Sequence, residues 1–214
     1  MTTRLAVLGD SIAWGQGASR PGDRLAPRLA EGLRLRGYDV ETRVLAVPGA
    51  RSSGLAAQVR ASLGWSPTVA LVVIGANDLT HLEPTSAAAA SLGDAVRRLR
   101  SAGAEVVVAP APDLSAVPHV PVFLRDVVRT AGDELRRQQI AAVQAAGGHL
   151  ADPDQRASGA FSADARLFSA DRFHPSSAGY AVIADSLLPA VLDAVRRSEA
   201  RYPASHDQLT GTPD

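Results

Sequence analysis

Two short polar segments contain the side chains best suited to nucleophilic chemistry. Ser11 ends the tripeptide Gly9-Asp10-Ser11 near the start of the chain, and Asp171 precedes His174 by three residues near its end. A serine hydroxyl attacks a carbonyl only when a base removes its proton, and a histidine oriented by a carboxylate is a common base for that step. The pattern therefore predicts catalysis with Ser11 as nucleophile, His174 as base and Asp171 as the orienting acid.

The composition narrows the choice of nucleophile. The chain has 214 residues, no cysteine, and 22 basic side chains that are all arginine. Without cysteine there is no thiolate, disulfide, iron–sulfur cluster or thiolate zinc site, and without lysine there is no Schiff base and no serine–lysine dyad. An enzyme of this composition that uses covalent catalysis must have a hydroxyl, a carboxylate or a histidine as its nucleophile. With serine as the nucleophile, we expect neither a metal nor an organic cofactor.

Charge and hydropathy bear on partners and location. The formal net charge is zero, whereas nucleic-acid-binding proteins usually carry a basic surplus, so we expect no nucleic-acid partner. The longest uncharged stretch, 61–77, contains Gly64 and Pro67 and is a poor membrane-spanning helix, so we expect no stable membrane insertion. The apolar run 5–8 is too short for an export signal. These features favour a cytoplasmic protein.

Apolar runs typical of strands alternate with helical patterns along the chain. Strand-like runs lie at 5–8, 40–47, 69–74, 105–109 and 149–151. Helical spacing of apolar residues is found over 23–36, 85–101, 123–146 and 180–195, with a kink expected at Pro189. The alternation predicts an α/β fold with a parallel sheet and helices on both faces. Residues 1–197 are expected to form one domain, followed by a mobile polar tail over 198–214.

Polar residues follow the strands where a parallel sheet places its functional loops. Gly49 follows the second strand and Asn77 follows the third. Because the carboxyl ends of parallel strands meet at one edge, we expect both to lie close to Ser11. The backbone N–H groups of Ser11 and Gly49 and the side-chain amide of Asn77 could then bind a carbonyl oxygen that acquires negative charge. Gly54 is an alternative to Gly49 for this role.

Taken in order, these segments resemble the SGNH, or GDSL-type, hydrolases. The resemblance rests on Gly9-Asp10-Ser11 with Gly15, the glycine after the second strand, Gly75-Ala76-Asn77-Asp78, and Asp171-x-x-His174-Pro175, and it extends from Leu5 to about Ile183. It implies a three-layer, flavodoxin-like, five-stranded sheet and hydrolysis of small-molecule esters or thioesters. It also implies the catalytic roles of Ser11, Asp171 and His174, with Ser11, Gly49 and Asn77 forming the oxyanion hole.

Several neighbours of these segments are candidates for substrate contact. His81 follows the Asn77 segment and Trp14 follows Ser11, while two arginines, Arg51 and Arg172, adjoin the predicted catalytic residues and could bind an anionic group. Two aromatic residues, Phe161 and Phe168, could line an acyl pocket. For each there is an ordinary alternative, either a solvated surface residue or a packed core residue.

Each segment alone also has an ordinary structural explanation as a turn, a helix cap or a surface loop. Their joint occurrence in four loops at one sheet edge favours a serine esterase. Two alternatives stay open. The same site could transfer the acyl group to an acceptor other than water, or the fold could be a non-catalytic module that binds a phosphate or flavin. The first loop argues against the module, since its glycines, Gly9, Gly15 and Gly17, do not form a dinucleotide-binding motif.

Overall fold

The computed structural model describes residues 2–151 and 156–201. Five parallel strands form one sheet in the order β2-β1-β3-β4-β5. The strands are β1 Thr3–Gly9, β2 Val40–Val44, β3 Val69–Val73, β4 Glu105–Ala109 and β5 His149–Leu150. The α-helices are α1 Ser11–Trp14, α2 Leu25–Arg34, α3 Leu55–Leu63, α4 Ala76–Thr80, α5 Thr85–Ser101, α6 Arg125–Ala145, α7 Arg156–Ala163 and α8 Ser177–Arg201. The predicted α/β class with a parallel five-stranded sheet is confirmed.

The central strands are buried on both faces, which explains their unbroken apolar sequences. In β1, Leu5 and Val7 pack on one side of the sheet, whereas Ala6 and Leu8 pack on the other. All five residues of β3 and all five of β4 are buried. This alternation of side chains between two cores is the pattern expected of a parallel sheet covered by helices on each face.

Helices cover the two faces as separate layers. Helices α2 and α8 contribute to the core on one face, and α3, α5 and α6 contribute to the core on the other. The periodic apolar residues of 23–36, 85–101, 123–146 and 180–195 predict four of these helices. Helix α3 was not predicted, although Leu55, Val59 and Ser62 lie four and three residues apart on its buried side. Helix α7, of eight residues, was not predicted either.

The last helix ends later than the sequence pattern predicts. Helix α8 continues through Pro189 to Arg201, so residues 198–201 belong to it and not to the predicted tail. Ser198 is buried three residues after Val195, so a polar residue continues the buried side of the helix where the sequence shows no further large apolar residue. The remainder of the predicted tail, 202–214, lies outside the described residues.

Helix α8 is also the one described helix that is long and apolar enough to cross a membrane. Its most apolar 18-residue window has a mean hydropathy of 1.5, and 39% of that window is buried inside the protein. Tyr180, Leu187, Val191 and Val195 are among its core residues. Part of its apolar surface is therefore packed in the core beside the sheet.

Candidate active site

The nucleophile candidate lies directly after the first strand. Gly9 has a φ of +133°, and a Cβ at this position would lie 1.8 Å from the carbonyl oxygen of Val73, so only glycine fits. The Asp10 carboxylate accepts a hydrogen bond from the backbone N–H of Ile12 at 2.9 Å and caps helix α1. Ser11 is the first residue of that helix, and 7% of its surface is exposed. The chain thus turns sharply out of β1 and presents Ser11 at the edge of the sheet.

The structure brings Ser11, His174 and Asp171 together. Nε2 of His174 lies 3.0 Å from Oγ of Ser11, and Nδ1 of His174 lies 2.7 Å from Oδ2 of Asp171. Ser11 and His174 are 163 residues apart in the chain, so this contact is a product of the fold. The arrangement has the geometry that a serine nucleophile, a general base and an orienting carboxylate require.

The loop before α8 holds the acid and the base. The N–H of Ser169 donates to the carbonyl of His174 at 2.7 Å, which closes the loop. Oδ1 of Asp171 accepts hydrogen bonds from the N–H groups of Phe173 and His174 and from the hydroxyl of Ser169. Partial burial raises the pKa of Asp171, but the His174 ring and these donors outweigh it and hold the pKa well below its usual range. Asp171 is therefore ionised at neutral pH.

The two other predicted oxyanion donors lie on neighbouring loops that touch. Asn77 is in the short helix α4, and its Nδ2 donates to the carbonyl of Ala50 at 3.1 Å, next to Gly49. Within the described residues, the backbone N–H groups of Ser11 and Gly49 have no recorded acceptor. The N–H of Gly54 donates to the carbonyl of Arg51 at 2.8 Å, which favours Gly49 over Gly54 as the available donor.

A buried carboxylate that sequence reasoning did not single out holds these loops together. Asp78, 3% exposed, accepts hydrogen bonds from the backbone N–H of Ser52 at 3.0 Å and from its hydroxyl at 2.8 Å. The turn after Gly49 is thereby tied to α4. A polar residue directly after Asn77 was the available signal, but its partner lies 26 residues away and cannot be found from local spacing.

Two buried glutamines satisfy the backbone where the strands end. Gln58 of α3 accepts from the N–H of Gly9 at 2.7 Å and donates to its carbonyl at 2.8 Å. Gln139 of α6 accepts from the N–H of Ala111 at 2.8 Å and donates to the carbonyl of Ile74 at 3.2 Å. Unpaired buried backbone groups cost roughly 1–3 kcal/mol each, so these amides stabilise the strand ends from which the catalytic loops start.

Asp10, beside the nucleophile, is the most strongly perturbed carboxyl group of this edge. Burial, with 1% of the residue exposed, raises its pKa to about 7, and the nearby charge of Asp78 adds to this effect. In the unfolded chain the group ionises near 3.8, so between these values the folded protein keeps a proton that the unfolded chain loses. The stabilising effect of that proton is complete below the lower value and disappears as pH rises to about 7.

Replacing Asp10 by asparagine should therefore raise stability at neutral and alkaline pH but not at acid pH below about 3.8. The variant Asp10→Asn keeps an oxygen for the Ile12 N–H but cannot ionise. We expect its free energy of unfolding to exceed that of the wild type by about 1–4 kcal/mol at pH 8 and to match it at about pH 3, as measured by urea denaturation. Asp185→Asn, at an exposed position of α8, is the control and should show no such pH dependence. An equal difference at both pH values would contradict the assignment.

The candidates for substrate contact have different surroundings. His81 is exposed, and its Nδ1 lies 2.9 Å from the carbonyl oxygen of Asn77. Arg51 forms an ion pair with Glu83. Trp14 is half-buried beneath the guanidinium of Arg24. Arg172 is exposed with a φ of +56°. Contact of any of the predicted residues with substrate stays a prediction.

An apolar cavity of about 110 Å³ adjoins the candidate catalytic residues. Ile12, which follows Ser11, lines it together with the aromatic residues Phe161, Phe168 and Phe173. The rings of Phe161 and Phe168 meet edge to face at 5.0 Å, and the ring of Phe173 lies 4.9 Å from that of His174. The pair that the sequence suggests for an acyl pocket therefore lines a cavity beside the candidate base.

The fold is shared with several esterases of known structure. The chain superposes on TesA with a TM-score of 0.69 and 19% identity, covering 93% of this chain and 99% of TesA. The esterase EstA from Pseudoalteromonas sp. gives 0.69 and 17%, with coverages of 91% and 97%. The acetylxylan esterase Axe2 from Geobacillus stearothermophilus gives 0.67 and 17%, with coverages of 88% and 94%. These similarities confirm the predicted three-layer fold.

Sequence comparison identifies the family. The chain is 42% identical over 205 residues to the GDSL-like esterase Rv1075c of Mycobacterium tuberculosis, covering 89% of this chain and 62% of that protein, so it spans less than two thirds of the relative. Residues 7–182 match the family model of the GDSL-like lipases and acylhydrolases. As the order of its motifs predicts, the chain belongs to the GDSL-like lipase/acylhydrolase family, whose members are hydrolases acting on ester bonds.

Proposed function

We propose that this chain is a serine esterase in which Ser11, His174 and Asp171 form a catalytic triad. The observation that carries the proposal is the continuous contact from Oγ of Ser11 through the imidazole of His174 to the carboxylate of Asp171. Both distances, 2.7 Å and 3.0 Å, lie within hydrogen-bonding range. The nucleophile, base and orienting acid are therefore already aligned for attack on a carbonyl carbon.

The reaction follows from this alignment. Nε2 of His174 takes the hydroxyl proton as Oγ of Ser11 attacks the ester carbonyl, whose π electrons move onto the oxygen. The resulting oxyanion is held by the N–H groups of Ser11 and Gly49 and by the amide of Asn77. When the tetrahedral intermediate collapses, the alcohol leaves with the proton from His174. Water then attacks the acyl-enzyme, gives its proton to His174, and releases the acid as Oγ recovers that proton.

The apolar cavity supports a small apolar acyl group as substrate. Its volume of about 110 Å³ is somewhat smaller than the cavity of about 150 Å³ that accommodates benzene in another protein. Ile12 and three phenylalanines belong to a mainly apolar lining in which Asp113 and Arg136 are the charged residues. An acyl chain would therefore be held chiefly by apolar burial, at about 0.8 kcal/mol per methylene group. Short-chain esters such as butanoates are thus the expected substrates.

Labelling and turnover together test the proposal. The wild type should react with a fluorophosphonate at Ser11, identified by peptide mass, and should hydrolyse nitrophenyl butanoate faster than the dodecanoate ester. Ser62→Ala is a matched control, because Ser62 is a buried serine of α3 that bonds only within its own helix. Labelling should persist in that variant. Attachment of the probe to another residue, or hydrolysis without any labelling, would overturn the proposal.

Loss of the Asn77 amide should slow catalysis without disturbing the nucleophile. Because the amide is expected to bind the oxyanion more strongly than the ground-state carbonyl, Asn77→Ala should lower kcat by about 10²- to 10³-fold with a small change in KM. Steady-state kinetics with nitrophenyl butanoate measures both. His81→Ala, one turn further along, leaves the amide in place and should change kcat far less. Equal kcat values for Asn77→Ala and the wild type would exclude Asn77 as an oxyanion donor.

A further inference from the structure

An arginine without a counterion lies beside the helix that carries the nucleophile. The guanidinium carbon of Arg24 lies 4.0 Å from the centre of the Trp14 ring, over its face. Its Nε is buried without a hydrogen-bond partner, and within 2–151 and 156–201 no hydrogen bond or ion pair of this guanidinium is recorded. Other arginines nearby are paired, since Arg28 binds Asp23 and Arg51 binds Glu83. Arg24 is thus a half-buried cation whose guanidinium has no acceptor among the described residues.

Local helix energetics argue against a purely structural role for this charge. Arg24 occupies the N-cap of α2 and makes no side-chain capping bond there. Serine, threonine, aspartate and asparagine are the favoured residues at an N-cap, and a cation at a helix N-terminus opposes the helix dipole. Residues that are unfavourable for the local secondary structure are expected at functional sites. An anion bound to Arg24 would remove the unfavourable interaction.

The neighbouring turn is shaped around the arginine. Gly15 has a φ of +94°, and a Cβ at that position would lie 2.5 Å from the Cβ and Cγ of Arg24. No larger residue fits without moving the arginine stem. One face of the guanidinium lies on Trp14 and Nε is buried, so the free edge is the one formed by the N–H groups of the two terminal nitrogens, which lie in the guanidinium plane. That edge is the part of arginine that binds carboxylates and phosphates with two parallel hydrogen bonds.

The position of Trp14 relative to Ser11 indicates which part of a substrate would reach Arg24. Successive residues of an α-helix are rotated by about 100°, so in α1 Ile12 lies about 100° to one side of Ser11 and Trp14 about 60° to the other. Ile12 lines the apolar cavity proposed for the acyl chain, and Trp14 does not. Trp14, with Arg24 over its ring, therefore lies on the other side of Ser11 from the residue that lines the cavity.

We propose that Arg24, stacked on Trp14, is a subsite for an anionic group, a carboxylate or a phosphate, on the alcohol portion of the ester substrate. The subsite rests on the proposed esterase function and specifies its substrate class as esters of anionic alcohols. It makes Arg24 a specificity-determining residue. Charge-assisted hydrogen bonds of this kind correspond to about 10- to 100-fold in kcat/KM.

Esters that differ only in charge test the subsite. The wild type should hydrolyse 4-(butanoyloxy)benzoate and 4-(butanoyloxy)phenyl phosphate with higher kcat/KM than the neutral methyl 4-(butanoyloxy)benzoate, and the two anions show whether carboxylate or phosphate fits better. Arg24→Gln should lower the ratio of anionic to neutral kcat/KM by about 10- to 100-fold. Arg20→Gln, which removes an exposed charge from the same loop, is the control and should leave the ratio unchanged. An unchanged ratio in Arg24→Gln would overturn the proposal.

A binding measurement decides the question independently of turnover. Trp14 and Trp65 are the two tryptophans, so Trp65→Phe leaves Trp14 as the single fluorophore. In that background 4-hydroxybenzoate should change the Trp14 emission with saturation, whereas methyl 4-hydroxybenzoate should not. Arg24→Gln should abolish the change and Arg24→Lys should weaken it, which covers the case in which one variant folds poorly. No saturable change in the parent would refute the subsite even if the esters are hydrolysed, whereas absence of hydrolysis with binding intact would refute the esterase function alone.

Discussion

Replacement of Ser11 by alanine is expected to lower kcat for nitrophenyl butanoate by about 10⁶-fold, the largest effect of any single substitution in this chain. The hydroxyl oxygen forms the covalent bond to the acyl group, and the described residues place no second hydroxyl within hydrogen-bonding distance of Nε2 of His174. The oxyanion donors and the acyl cavity are left in place. Turnover should therefore fall to a residual rate that still exceeds the uncatalysed reaction by about 10³-fold.

The loss of activity in Ser11→Ala can be distinguished from misfolding. Ser11 is one helix residue with little exposed surface, and the change to alanine removes a single oxygen without breaking the Asp10 cap of α1. The thermal unfolding midpoint should therefore stay within a few degrees of the wild type. Because the members of a triad act as a unit, Ser11→Ala combined with His174→Ala should be no slower than either alone. Multiplicative losses in the double variant would show that the two residues act independently.

The order of the strands and the four site segments could be predicted because both depend on local signals. Buried parallel strands such as β3 consist of consecutive apolar residues, and Gly9 and Gly75 end their strands at the sheet edge where functional loops meet. Once Ser11, Gly49 and Asn77 each follow a strand, the parallel topology places them on one edge without any knowledge of side-chain contacts. The family model matches residues 7–182, which include all four segments, and so confirms the family predicted from them.

The contacts that hold this edge together could not be predicted, because they join residues that are distant in sequence. Gln58 pairs with Gly9 across 49 residues, and Asp78 pairs with Ser52 across 26. A buried glutamine inside a helix looks like an ordinary surface residue until the helix is packed. Helix α3 was missed for the same reason, since Gln58 and Ser62 interrupt its apolar face and are buried only because they bond to the backbone.

The second large effect is expected from Asp171→Asn, which should lower kcat by about 10⁴-fold with little change in KM. The carboxylate accepts from Nδ1 of His174 and so keeps the proton on that nitrogen and the free electron pair of Nε2 toward Ser11, whereas an amide can donate to Nδ1 and favour the wrong tautomer. Since the pKa of Asp171 is held below its usual range, its protonation cannot account for any loss of wild-type activity between pH 5 and 7.

A matched control for this change lies in the preceding turn. Asp164 also accepts a hydrogen bond from a backbone N–H two residues on and binds an arginine, Arg166, but it has no contact with His174. Asp164→Asn should therefore keep kcat within about twofold of the wild type, as surface changes away from a site usually do. Stopped-flow measurement of the acylation burst locates the defect, because the loss of the imidazole orientation must slow the first proton transfer from Ser11. If Asp171→Asn acylated at the wild-type rate and only deacylation slowed, Asp171 would orient His174 for the attack of water but not for the attack of Ser11. The triad would then need a different acid for acylation.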